Sequence, residues 1–138
     1  MPSAPSYADC AQRSREWGND ARIKTGSKTI IAGFYPSSRV TFRPDLSSKE
    51  KTLRKFYEIL GKIYENDVDV IICETMTSIY EGTIAASTAK NFSKKVWLSW
   101  TTRGNTLTRR PRTELLDMAI REGLELEIDR QWVHCVAE

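Results

Sequence analysis

The chain has 138 residues, with 21 basic and 18 acidic side chains, one histidine and a formal net charge of +3. That length suits one domain with a real core, and 40% hydrophobic with 28% charged residues is an ordinary globular balance that excludes a globally disordered chain. The mild basic excess does not by itself argue for nucleic acid, which shows as a strongly basic patch, and the densest basic stretch, Arg103, Arg109, Arg110 and Arg112, reads as a solvated loop ahead of an anion or nucleic-acid contact.

Three cysteines, Cys10, Cys73 and Cys135, are too few and too far apart for a disulfide framework. A reducing, cytoplasmic setting is the expectation. Residues Met1 to Tyr7 are polar and lack the apolar run of a signal peptide. No segment approaches the roughly 18 apolar residues of a membrane span.

In chain order, Ser6 to Lys24 reads as a helix, with Gly26 as its stop. Thr29 to Gly33 is a compact apolar strand. A long loop through Pro36 and Pro44 follows, reaching Leu46. Ser47 and Glu50 have capping-box spacing. From there Leu53, Phe56, Tyr57, Leu60, Ile63 and Tyr64 fall on one helical face. Val68 to Cys73 is nearly continuous in apolar residues, as a strand covered on both faces should be. Ser78 and Glu81 open a second patterned helix, rich in alanine. Lys95 to Trp100 is the third strand. Pro111 precedes a helix that should stop at Gly123, and Gln131 to Cys135 is the last strand.

Helices therefore alternate with strands. Every strand-to-strand gap holds a helix, which predicts parallel βαβ units and no hairpin. The expected organisation is one unit over residues 1–138, with a helical region at 1–28 and alternating βα units at 29–135. In parallel sheets the functional groups lie beyond the C-terminal strand ends. That rule singles out Gly33 to Asp45, Glu74, Ser99 to Thr102, and His134 with Cys135.

A carboxylate at position 74 can accept hydrogen bonds from a cationic ligand, or serve only as a helix-start or salt-bridge residue. Cys135 and His134 are both good zinc-ligand types, but adjacent strand residues point to opposite faces. A cysteine ending an apolar strand is more often a small buried hydrophobe than a ligand, and Cys73, inside a strand, fits that description better still. Trp97 and Trp100 read as packing residues. No Gly-rich phosphate loop, Ser/His/Asp set or paired-histidine zinc motif occurs.

The run Val68-Asp69-Val70-Ile71-Ile72-Cys73-Glu74-Thr75, followed by Glu81, resembles a segment of the homocysteine S-methyltransferases. Val96-Trp97-Leu98-Ser99-Trp100, the upstream Ala32-Gly33 with Phe42-Arg43-Pro44-Asp45, and the downstream Val133-His134-Cys135 are similar to further pieces in the family's order. The resemblance implies a partial (β/α)8 TIM barrel, roughly its third to sixth βα units, since a full barrel takes about 250 residues. It implies methyl transfer from a sulfonium-type donor to the homocysteine thiol, giving methionine. It places Glu74 on the homocysteine amino group and makes Cys135 the first of three zinc cysteines.

The family's adjacent cysteine pair and its glycine-rich first segment have no match in these residues, and His134 stands where the family has asparagine. The expectation is a truncated domain, inactive alone, that acts only with a complementing chain or associates with itself through open sheet edges. His134 or Cys73 could replace a missing zinc ligand. The alternatives are a non-catalytic remnant and a small flavodoxin-like α/β binding domain.

Overall fold

A computed structural model describes residues 6–38, 48–103, 106–107 and 115–137, with the side chains of 103, 106 and 134–137 left out. The first element is helix α1 (Tyr7–Thr25), followed by strand β1 (Ala32–Tyr35), α2 (Glu50–Tyr64), β2 (Val70–Met76) and α3 (Ile79–Ala89). A 3-10 turn at Lys90–Phe92 leads to β3 (Lys95–Arg103), β4 (Thr106–Leu107), α4 (Leu116–Glu125) and β5 (Arg130–Ala137). Strands β1, β2, β3 and β5 form a parallel sheet in that spatial order. This is the α/β architecture expected for part of a barrel.

Local chemistry sets several boundaries. Ser6 caps α1, its hydroxyl accepting from the Asp9 amide while the Asp9 carboxylate accepts from the Ser6 amide. Those bonds hold the Asp9 carboxyl below its usual range. Gly26 ends the helix in the left-handed region at φ 63°, which favours glycine. Ser78 caps α3 by accepting from the Glu81 amide.

Four expectations need correction. The first strand begins at Ala32 rather than Thr29, because the Asp69 carboxylate takes the Ile31 amide before the ladder starts. Helix α2 starts at Glu50, with Lys49 at its N-cap and no side-chain cap. Glu50 pairs with Arg54 at 2.8 Å, and Ser47, the expected cap, lies outside the described residues. Helix α4 continues past Gly123 to Glu125, since Gly123 is a packing glycine: a Cβ there would lie 2.3 Å from Gln131 Oε1. Finally, a short hairpin exists. β4 pairs antiparallel with the end of β3 through Thr102 and Arg103, beyond Met76, where β2 stops.

The two faces of the sheet differ. One carries Gly33, Tyr35, Ile71, Cys73, Val96, Leu98 and Trp100 in register, covered by α2 and α3. Gly33 is required here by close approach, because a Cβ would lie 2.5 Å from the Tyr64 ring. Tyr35 stacks on Tyr57, ring centroids 5.0 Å apart, and Trp100 is fully buried against Gly82. The opposite face carries Phe34, Ile72, Trp97 and Trp132, with Trp97 and Trp132 packed edge to face and Arg130 over the Trp97 ring. Both tryptophans of β3 are thus packing residues. Among the described residues, no helix is long and apolar enough to cross a membrane.

Candidate functional site at the carboxyl rim of the sheet

Alternation along β2 turns Cys73 toward the helices and the next residue, Glu74, the other way. Glu74 is exposed, whereas Cys73 is fully buried. Between Cys73 and Met76 the ladder with β3 slips by one residue, so that Glu74 and Thr75 together oppose Ser99. Thr75 adopts φ 59°, an uncommon conformation for a β-branched residue. Its amide donates to the Ser99 hydroxyl at 2.8 Å. A bulge of this kind re-aims a side chain at the end of a strand, and strained backbone of this type clusters at ligand sites. Glu74 has no hydrogen-bond or ion-pair partner among the described residues.

The same irregularity recurs on the other side of β3. His134 pairs with Thr101 and Ala137 with Arg103, so Cys135 and Val136 stand opposite Thr102 alone. Glu74 and Cys135 therefore each open a bulge toward the carboxyl ends of β2 and β5, the first opposite Ser99 and the second opposite Thr102. Those strands flank β3, and the register sets Glu74 level with Ser99 but Cys135 level with Thr102, three residues further along β3, so their backbones lie about 14 Å apart at ordinary strand spacing and rise. The side chains of His134 and Cys135 lie outside the described ones. So do Arg43 and Asp45, and most of the arginine-rich stretch after Arg103.

The loop after β1 reaches the same rim, held by a residue whose role the sequence did not reveal. Glu81 is 3% exposed. Its Oε1 accepts from the Ser38 amide at 2.6 Å and from the Tyr57 hydroxyl at 3.0 Å. The Tyr57 hydroxyl also reaches the Pro36 carbonyl at 3.1 Å. Burial, and after it the neighbouring Glu81 carboxylate, pushes the Tyr57 phenol far above its usual range. The Ser78 and Glu81 spacing marked this glutamate as part of a helix start, but gave no sign that its carboxyl group would be sealed under a loop.

Replacing Glu81 by Ala strands the Ser38 amide and removes an acceptor from Tyr57. A buried polar group left unpaired costs about 1–3 kcal/mol. We expect Glu81→Ala to lower unfolding stability in urea by about 2 kcal/mol. Glu81→Gln keeps an acceptor oxygen and should lose less than half of that.

Cys10 and Cys73 do not converge. Cys10 is exposed on α1, and Cys73 lies under the helices, where burial pushes its thiol far above the ordinary range. A thiol of that kind is a poor metal ligand, so Cys73 is no substitute for a rim ligand. Among the described residues, no group of three His, Cys, Asp or Glu side chains could hold a metal ion.

A family model described as homocysteine S-methyltransferase matches residues 4–136. No curated protein matches the chain.

Proposed function

Because the chain belongs to the homocysteine S-methyltransferase family, we propose that its carboxyl rim forms part of a site for methyl transfer from a sulfonium-type donor to the homocysteine thiol, giving methionine. The observation that carries this reading is the paired placement of Glu74 and Cys135 at bulged strand ends on either side of β3. The family membership also sets aside the flavodoxin-like alternative.

The Glu74 carboxylate, exposed and without a described partner, is the group for the homocysteine ammonium, which it can hold by charge-assisted hydrogen bonds. Cys135 supplies one thiolate. When bound, zinc lowers a substrate thiol's pKa and fixes its sulfur. A catalytic zinc needs about three protein ligands, and this chain's own donors do not fit that number. Cys73 faces the helices and Cys10 sits on α1. These 138 residues by themselves are thus a substrate-binding part of such a site rather than a complete catalyst. The same observation favours the non-catalytic reading for this chain acting alone. A reducing cytoplasm suits a function that depends on a free thiol.

The test is to supply the purified chain with zinc, homocysteine and a sulfonium donor, and to measure both methionine formed and homocysteine bound. We expect no methionine above the protein-free control. We also expect weak homocysteine binding that drops at least tenfold in Glu74→Ala. Robust turnover would overturn the incompleteness, and binding unaffected by Glu74→Ala would remove Glu74 from the site.

A further inference from the structure

Burial within the molecule is concentrated in its middle. Helix α3 buries seven of its 11 residues and α2 five of 15. The 19-residue α1 buries only Ala11, and α4 only Ala119 and Gly123. Among the described residues, every large apolar side chain left exposed falls on the two flanking βα units, apart from Ile59 and Tyr80. Trp17, Ile23 and Ile30 are 70%, 78% and 61% exposed on the first, and Met118 and Leu124 are 52% and 66% exposed on the last.

The edges are open as well. Among the described residues β1 pairs only with β2, and β5 only with β3 among the parallel strands. Beside β1, under α1, runs an apolar groove of about 710 Å³ lined by Tyr7, Cys10, Ala21, Ile30, Phe34 and Pro36. It runs along the side of β1 that faces away from β2.

The two flanks differ in charge, with Arg15 and Arg22 of the first already paired to Asp67 and Asp69. Residues 7–28 hold five basic and three acidic side chains, whereas residues 116–130 hold two basic and five acidic. Like flanks would repel and unlike flanks attract.

From these observations we infer that two copies of this chain close into one barrel, β5 of each adding beside β1 of the other. Four parallel strands from each copy make eight, the number at which such a sheet closes. A two-fold axis along the barrel then generates both junctions at once. Closure covers the exposed faces of α1 and α4, and buries Phe34 and Trp132, 45% and 37% exposed in the single chain. It also leaves no parallel edge free, which otherwise invites uncontrolled association. The inference stands on exposure, topology and charge, and does not depend on the proposed methyl transfer.

Sedimentation equilibrium of the 138-residue chain tests it. The expected mass is twice the 15.8 kDa of one copy, with a melting temperature that rises with protein concentration. Ile30→Asp, at the β1 edge, and Leu124→Asp, on α4, should each weaken the dimer at least tenfold. Ile59→Asp, on α2 away from both edges, should leave it intact. A folded 15.8 kDa monomer whose melting temperature ignores concentration overturns the inference. An open-ended series of larger species overturns closure. Equal effects of all three substitutions overturn the assignment of the interface.

Discussion

Raising the pH from 8 to 11 should unfold the protein, and the loss should be steep above pH 9. Three acidic groups on the helix-covered face drive it. Cys73, Tyr35 and Tyr57 would ordinarily titrate near 9.0, 10.0 and 10.0. In the folded chain, burial drives all three far higher, and for Tyr57 the Glu81 carboxylate adds to it. The neutral forms are therefore favoured in the native state. Their contribution is complete below the ordinary values and lost as pH climbs toward the raised ones, because the unfolded chain sheds protons that the folded chain retains.

At pH 11 the thiol is two units past its ordinary value, and each phenol one unit. At about 1.4 kcal/mol per unit the three together remove about 5 kcal/mol, comparable with the whole stability of a modest domain. Urea midpoints at pH 8, 9, 10 and 11 measure it. Tyr35→Phe separates this cause from general alkaline damage. The Tyr35 hydroxyl is buried with no hydrogen-bond partner among the described residues, so removing it should hold or raise stability at pH 8 while moving the alkaline transition upward. A flat profile to pH 11 would show that these groups are solvated in the folded protein.

Those tyrosines also show what the sequence could reveal. Tyr57 and Tyr64 lie on the apolar helical face that spacing identified, and they are buried as expected. The helix start at Ser78 was readable because capping is local chemistry between residues three apart, whereas the cap at Ser6 on Asp9 was not identified in advance. Strand limits were less so. The apolar run from Thr29 does not say where the ladder begins, and it is Asp69, 38 residues away along the chain, that takes the Ile31 amide. The two-residue β4 has no periodicity of its own.

At the site, the strand-end rule pointed to Glu74 and Cys135 because parallel topology follows from the alternation of elements, and the strands that carry them do run parallel. The bulges at these two positions were not legible. Glu74-Thr75 contains neither the glycine nor the asparagine that usually marks left-handed backbone, and the amide of Thr75, at φ 59°, donates to Ser99 on another strand. Glu81 was hidden for a similar reason: its partners are 24 and 43 residues away.

Trp100→Ala should be the most damaging single substitution, lowering stability by about 3–5 kcal/mol. The indole fills the space between β3 and α3 with no exposure, against a glycine whose Cβ, if present, would lie 2.6 Å from the ring. No side chain at Gly82 can collapse into the resulting void. The loss also spreads to the last βα unit. Trp100 Nε1 donates to Gln131 Oε1 at 3.0 Å, and Gln131 Nε2 donates to the Ile120 carbonyl at 3.0 Å. One indole therefore ties β3 to β5 and, through Gln131, to α4.

Trp100→Phe keeps most of the filled volume but not the donor, so it should lose about 1–2 kcal/mol and loosen the tie to Gln131. Hydrogen exchange reads the two effects separately. In Trp100→Phe, faster exchange should be confined to β5 and α4, whereas in Trp100→Ala it should extend to β2 and α3. If Trp100→Ala costs under 1 kcal/mol, or if β5 exchanges no faster in either variant, then the strand that carries Cys135 is held in place by something other than this indole.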